Sequence, residues 1–181
     1  FAQKGYFSEN IASNVFPAGQ NQELALGTAA MYLNGSWLPN EVKNMAGDDF
    51  QWGCFRYPAV EGGTDGTEAA NYGGQVLAIN KNSQHAEDAF KLITYITKGE
   101  FDKKLSEESL GIPSDTTNSE WPVQLTDVKP VMESLKTRYP WAAGAEDNVD
   151  MTPIIKENMT KLCSGAITAD EFVSNLQAAG K

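Results

Sequence analysis

Twice in this chain an apolar run gives way to a helix with one apolar face, and that order constrains the fold more than any other feature. Ala29 to Leu33 is the first run. Asn34-Gly35 closes it as a turn pair, and Ser36 then stands where it can cap a helix whose Leu38, Val42 and Met45 share a face. Val76 to Ile79 is the second run, and the helix after it carries Ala86, Ala89, Phe90, Ile93 and Ile96, with Lys98-Gly99 as its stop. Phe50 to Tyr57 adds a strand-like segment halted by Pro58. Strand followed by helix is the mark of an α/β fold, in which helices cover a sheet.

The remaining segments are mostly helical. Phe1 to Lys4 before Gly5 reads as the last turn of a longer helix, so the natural chain is expected to begin earlier. Gln20 to Leu26 before Gly27 is a short helix, and Phe101 to Leu110 is another, ended by Gly111. Ile112-Pro113 then forces an extended chain, and the polar stretch to Glu120 is a connector. Pro130 suits the first turn of a helix bearing Val131, Met132 and Leu135, and Pro140 halts it. Thr152-Pro153 opens a helix with Ile155, Met159 and Leu162 inward. Thr168 and Glu171 have capping-box spacing, flanked by Ile167 and Phe172 at the hydrophobic-staple positions, so a last helix is expected there.

Charge narrows the partners. The chain carries 14 basic and 24 acidic residues, a net of −10, which repels phosphate backbones and anionic headgroups. Nucleic acid is therefore excluded as a partner. Arginine, the side chain best fitted to clamp an anion, occurs only as Arg56 and Arg138, which favours a neutral ligand. His85, Cys54 and Cys163 stand too far apart for a zinc motif, and no cofactor-binding fingerprint is present. The two cysteines are equally compatible with a disulfide and with two buried thiols. No apolar run approaches the roughly 20 residues that a membrane-crossing helix needs.

The stretch Leu24-Ala25-Leu26-Gly27-Thr28-Ala29-Ala30-Met31-Tyr32-Leu33-Asn34-Gly35-Ser36-Trp37 resembles the F-x-x-G-x-A-A-M-x-x-x-G-x-W signature of carbohydrate-type extracytoplasmic solute-binding proteins of ABC importers, with Leu24 for the usual Phe. Further segments follow in the family's order. They are Phe55-Arg56-Tyr57-Pro58, Tyr72 to Ile79, the helix from Ala86 to Ile96, Gly111-Ile112-Pro113, and Leu162 to Thr168.

The resemblance implies a periplasmic-binding-protein-like fold of type II, similar to maltose-binding protein, with two α/β lobes and a ligand cleft between them. Residues 1–72 would then belong to the second lobe, 73–114 to the first, and 115–181 to the second again, with the family's N-terminal half absent. It further implies a sugar or oligosaccharide as ligand, ABC permease subunits as partners and a monomer in full-length form. The location would be extracytoplasmic, in the periplasm or lipid-anchored to the outer face of the membrane through the absent part. No catalysis and no cofactor are expected.

Trp37 opens a helix just beyond a strand and a turn, at the sheet edge where open α/β folds hold ligands. Its ring suits the apolar face of a pyranose; the alternative is a ring that staples the helix to the core. Asn34 offers an amide donor and acceptor for neighbouring hydroxyls, or simply makes the turn. Tyr72-Gly73-Gly74 presents an aromatic beside main chain that a ligand can approach closely, or a hinge. Trp141 sits in a loop where the family presents further contacts, and Asp147 and Asp150 could accept hydroxyl protons, though acidic loop residues are usually only solvated. Trp52 alternates with Phe50 and Cys54 and belongs to the core.

Other function classes remain open on residues alone. A secreted carbohydrate-active enzyme would need two opposed carboxylates, but no nucleophile motif such as GxSxG is present. A binding protein for a peptide or polyamine, and a sensor subunit, would use the same capture chemistry.

Overall fold

The computed structural model describes residues 1–140 and 149–180. Seven α-helices and two strands are formed among them: α1 Ala18–Ala25, α2 Leu38–Ala46, β1 Ala69–Asn71, α3 Ala86–Ile96, α4 Gly99–Ser109, α5 Val128–Glu133, β2 Thr137–Tyr139, α6 Met151–Cys163 and α7 Ala169–Ala179. β1 and β2 pair into a two-stranded sheet. The chain divides into two compact units, Phe1–Tyr32 with Tyr139–Lys181, and Leu33–Arg138. The stretch 73–114 lies inside the second of these.

The helices follow the sequence pattern closely. α3 spans the expected residues, and α7 starts at its capping box: Thr168 Oγ1 accepts from Glu171 N at 3.2 Å, while Glu171 Oε2 accepts from Thr168 N at 2.7 Å. In the first unit α6 packs on α7, and Asn158, buried on α6, joins them. Its Nδ2 donates to Ile154 O at 2.9 Å, and its Oδ1 accepts from Asn175 Nδ2 at 2.8 Å. Several helix ends differ from expectation: α5 stops at Glu133, so Leu135 lies beyond it, and β2 rather than helix runs up to Pro140. α2 is capped at Trp37 rather than Ser36, and the left-handed residue that ends α4 is Leu110, at φ 48°, rather than Gly111. Gly111 N still closes the turn onto Ser106 O at 3.0 Å, which holds Leu110 in a conformation that costs a non-glycine residue about 1–2 kcal/mol.

The strands are where the structure departs from the pattern. Ala29–Leu33, Phe50–Tyr57 and Val76–Ile79 form no strand, whereas β1 and β2 are segments of three residues each, too short to show a strand period. A strand exists through its hydrogen-bonded partner, and propensity only describes what suits a pleated, half-buried surface. Glu68 O accepts from Lys136 N at 2.9 Å and so begins the pairing that β1 and β2 continue. The apolar runs have no such partner among the described residues, and Val76 is 86% exposed. The apolar side of α3 is likewise open, with Phe90 exposed. The buried apolar side chains are Leu24 in the first unit and Leu38, Val42 and Leu125 in the second.

Polar burial organises the second unit. Asp102 on α4 is 2% exposed, and its carboxylate accepts from Ser114 N at 2.9 Å, Asp115 N at 3.1 Å and Asn118 Nδ2 at 2.8 Å. Ser106, one turn on, donates to Gly111 O at 2.6 Å. Together they fold the connector after Gly111 back along α4. Asp115 then reaches the start of that helix: Gly99 N donates to it at 3.0 Å, and Thr117 donates through both its hydroxyl and its main chain. The Gly99 bond first, and those from Thr117 next, stabilise the ionised carboxylate and lower its pKa from 3.8 to about 2.

Replacing Asp102 by Ala is expected to lower unfolding free energy by about 2–3 kcal/mol, because three donors lose a charged acceptor. The check is a lower urea midpoint at unchanged slope. Asp115 adds a pH dependence. Its folded pKa lies below its ordinary value, so its support is complete above roughly pH 4 and fades as pH falls toward about 2. A carboxylate resonance of Asp115 titrating near pH 4 would contradict this.

Candidate functional site

The turn at Asn34-Gly35 and the head of α2 form the first cluster of expected residues. Asn34 Oδ1 accepts from Gly35 N at 2.7 Å, which fixes the side-chain amide and leaves Nδ2 as its donor end. That Nδ2 is buried and has no hydrogen-bond partner among the described residues. A buried donor without an acceptor is costly, and sites that wait for a ligand are one place where it persists. The Trp37 ring folds back over Gly35 so closely that a Cβ on Gly35 would collide with its six-membered ring. Glycine is thus required here for close approach, and Gly35 does not need a left-handed φ.

Below the turn, α2 anchors the platform. Leu38 and Pro39 are buried and Val42 is fully so, while Trp37 at the helix head is 53% exposed. Lys43 Nζ donates to Glu108 O at 3.3 Å and ties α2 to the last turn of α4. Trp52 behaves differently, being half-buried with its ring 4.7 Å from that of Phe50.

Tyr72 directly follows β1 and is 46% exposed. The guanidinium of Arg138 on β2 lies over its ring at 5.0 Å from the centroid. Gly73 and Gly74 continue from Tyr72 as exposed main chain, and a Cβ on either would meet nothing within 4 Å. Neither has a positive φ. Close packing and left-handed geometry therefore explain neither glycine. Among the described residues no hydrogen bond or ring contact joins Asn34 or Trp37 to Tyr72.

Asp150 is exposed at the N-cap of α6, in the other unit. Trp141 and Asp147 lie outside the described residues. Two concavities are present as well. One of about 330 Å³ sits where α3 meets α4, between Tyr95, Lys98 and Phe101. The other, of about 540 Å³, is lined in the first unit by Phe7, Ser8, Asn10, Asn14, Glu23 and Thr28. Its polar groups are largely spent on one another: Glu23 Oε1 accepts from Ser8 Oγ at 2.5 Å and Asn10 Nδ2 at 3.3 Å.

Cys54 and Cys163 are both free thiols. Burial raises the pKa of each, with the Asp127 carboxylate a further cause at Cys54, so neither is primed as a nucleophile. Among the described residues no cluster of His, Cys, Asp and Glu could hold a metal, and no helix is long and apolar enough to cross a membrane. Sequence reasoning did not anticipate Arg138 beside Tyr72, because the strand pair that brings them together has no periodic signal.

Residues 3–100, just over half of the chain, match the model of the family described as bacterial extracellular solute-binding protein. The matched range contains Asn34, Trp37, Tyr72, Gly73 and Gly74. No curated protein and no solved structure matches the chain.

Gly35→Ala is expected to push the Trp37 ring from its seat while leaving the backbone fold in place. Fluorine NMR on fluorotryptophan-labelled protein should show one of the four tryptophan signals moving, the one that Trp37→Phe removes. An unshifted Trp37 signal would contradict the packing described.

Proposed function

Because the chain belongs to the family of bacterial extracellular solute-binding proteins, we propose that it contributes to a cleft that captures a sugar or oligosaccharide and delivers it to an ABC permease. Family membership carries the coarser statements: a solute-binding component of the ABC-transporter type, a periplasmic-binding-protein-like fold and an extracytoplasmic location. The sugar is the added step. What supports it is the turn at the head of α2, where the half-exposed Trp37 ring lies over Gly35 and the preceding Asn34 keeps a buried Nδ2 donor with no hydrogen-bond partner among the described residues. An aromatic face takes the C–H side of a pyranose, and an amide donor takes a hydroxyl or ring oxygen. A periplasmic or lipid-anchored form is part of the same proposal.

The proposal includes the lobe division: 1–72 and 115–181 in the second lobe, 73–114 in the first. Support comes from the apolar surface inside 73–114. Val76, Leu77 and Phe90 are all exposed, and a second layer would bury them at about 1.5–3 kcal/mol for each large apolar side chain. Trp141, Asp147 and Asp150 belong to the same proposed contact set.

In the full-length protein Trp37→Ala is expected to weaken sugar binding at least about thirtyfold, the equivalent of about 2 kcal/mol for a central aromatic anchor. Trp52→Ala removes a half-buried ring and should lower the melting temperature with affinity little changed. Calorimetry and thermal melting on both variants decide between them. A Trp37→Ala protein that melts early yet binds normally would make Trp37 a packing residue.

A further inference from the structure

Arg138 carries an exposed guanidinium that, among the described residues, has no carboxylate partner, in a chain of 24 acidic residues. Among the described residues its side chain takes part in no ion pair or hydrogen bond and lies against the Tyr72 ring. Arg56, the other arginine, is half-buried and donates to Ser134 Oγ. An arginine held over an aromatic face keeps its in-plane N–H donors for a second partner, and the planar fork matches a carboxylate in two parallel bonds. Beside it, Gly73 and Gly74 leave open space along exposed main chain.

From this geometry, and resting on the sugar-capture proposal above, we infer that the ligand carries a carboxylate: a hexuronate or an oligosaccharide containing one, held by Arg138 next to Tyr72. Net charge does not oppose this. The field of −10 distributed over the protein is screened within about 8 Å at physiological salt, whereas the guanidinium would act at hydrogen-bond distance. The scarcity of arginine argues against an anion in general. The placement of one of the two, stacked and unpaired at an expected contact residue, favours a single anionic group on an otherwise neutral sugar.

The experiment measures binding of hexuronates, the matching neutral hexoses and hexose 6-phosphates to the full-length protein by calorimetry, for the natural sequence and for Arg138→Gln, Arg138→Lys and Arg56→Gln. The expected result is at least tenfold preference for a hexuronate over its hexose. Arg138→Gln should abolish that preference, Arg138→Lys should retain part of it, and Arg56→Gln should leave it intact, with unchanged melting temperature at the exposed Arg138 position. Neutral hexose bound as tightly as hexuronate, with Arg138→Gln without effect, would overturn the carboxylate and leave sugar capture standing. Preference for the phosphate would overturn the carboxylate in favour of another anion. Failure of every sugar to bind would overturn this inference together with the proposal on which it rests.

Discussion

Three N–H groups converge on the buried carboxylate of Asp102, and the second unit takes its local order from that convergence. A charge removed from water must be matched by donors, so the connector after α4 has one course that satisfies it. Ser106 reinforces the same turn, and Asp115 returns the connector to Gly99 at the head of α4. From the far end of α4 the Glu108 carbonyl holds Lys43 of α2, the helix that carries Trp37 at its N-terminus. A polar node thus lies one helix away from the proposed ligand platform.

The helices could be read from sequence because their causes are local. α3 shows its apolar period, and α7 its capping box, within a dozen residues. The strands could not. Ala69–Asn71 pairs with Thr137–Tyr139 across more than sixty residues, and each segment is only three residues long, too short to show a strand period. Conversely, Val76 to Ile79 is an apolar run of strand type that forms no strand, with Val76, Leu77 and Ala78 exposed, since pairing is settled by what lies alongside. The misplaced cap at α2 has a related cause: Ser36 has the preferred chemistry, but the fold-back of Trp37 over Gly35 starts the helix one residue later.

Within the candidate site, the local part was legible and the long-range part was not. Asn34, Gly35 and Trp37 lie within four residues, and a turn followed by a helix is enough to group them. Tyr72 was legible as an aromatic before two glycines, but its partner Arg138 comes from the distant strand. Composition counted two arginines and set anions aside; the structure distinguishes one arginine engaged with Ser134 from one left free beside an aromatic. The same total charge therefore carries different meaning once positions are known.

Capture of an intact sugar is the central claim, and it is tested most directly by incubating the full-length protein with an oligosaccharide mixture, isolating the complex, and identifying the released solute by mass spectrometry. One sugar per protein, with its linkages unchanged after prolonged incubation, is the result this account predicts. A bound peptide or polyamine, or shortened oligosaccharides with new reducing ends, would contradict it.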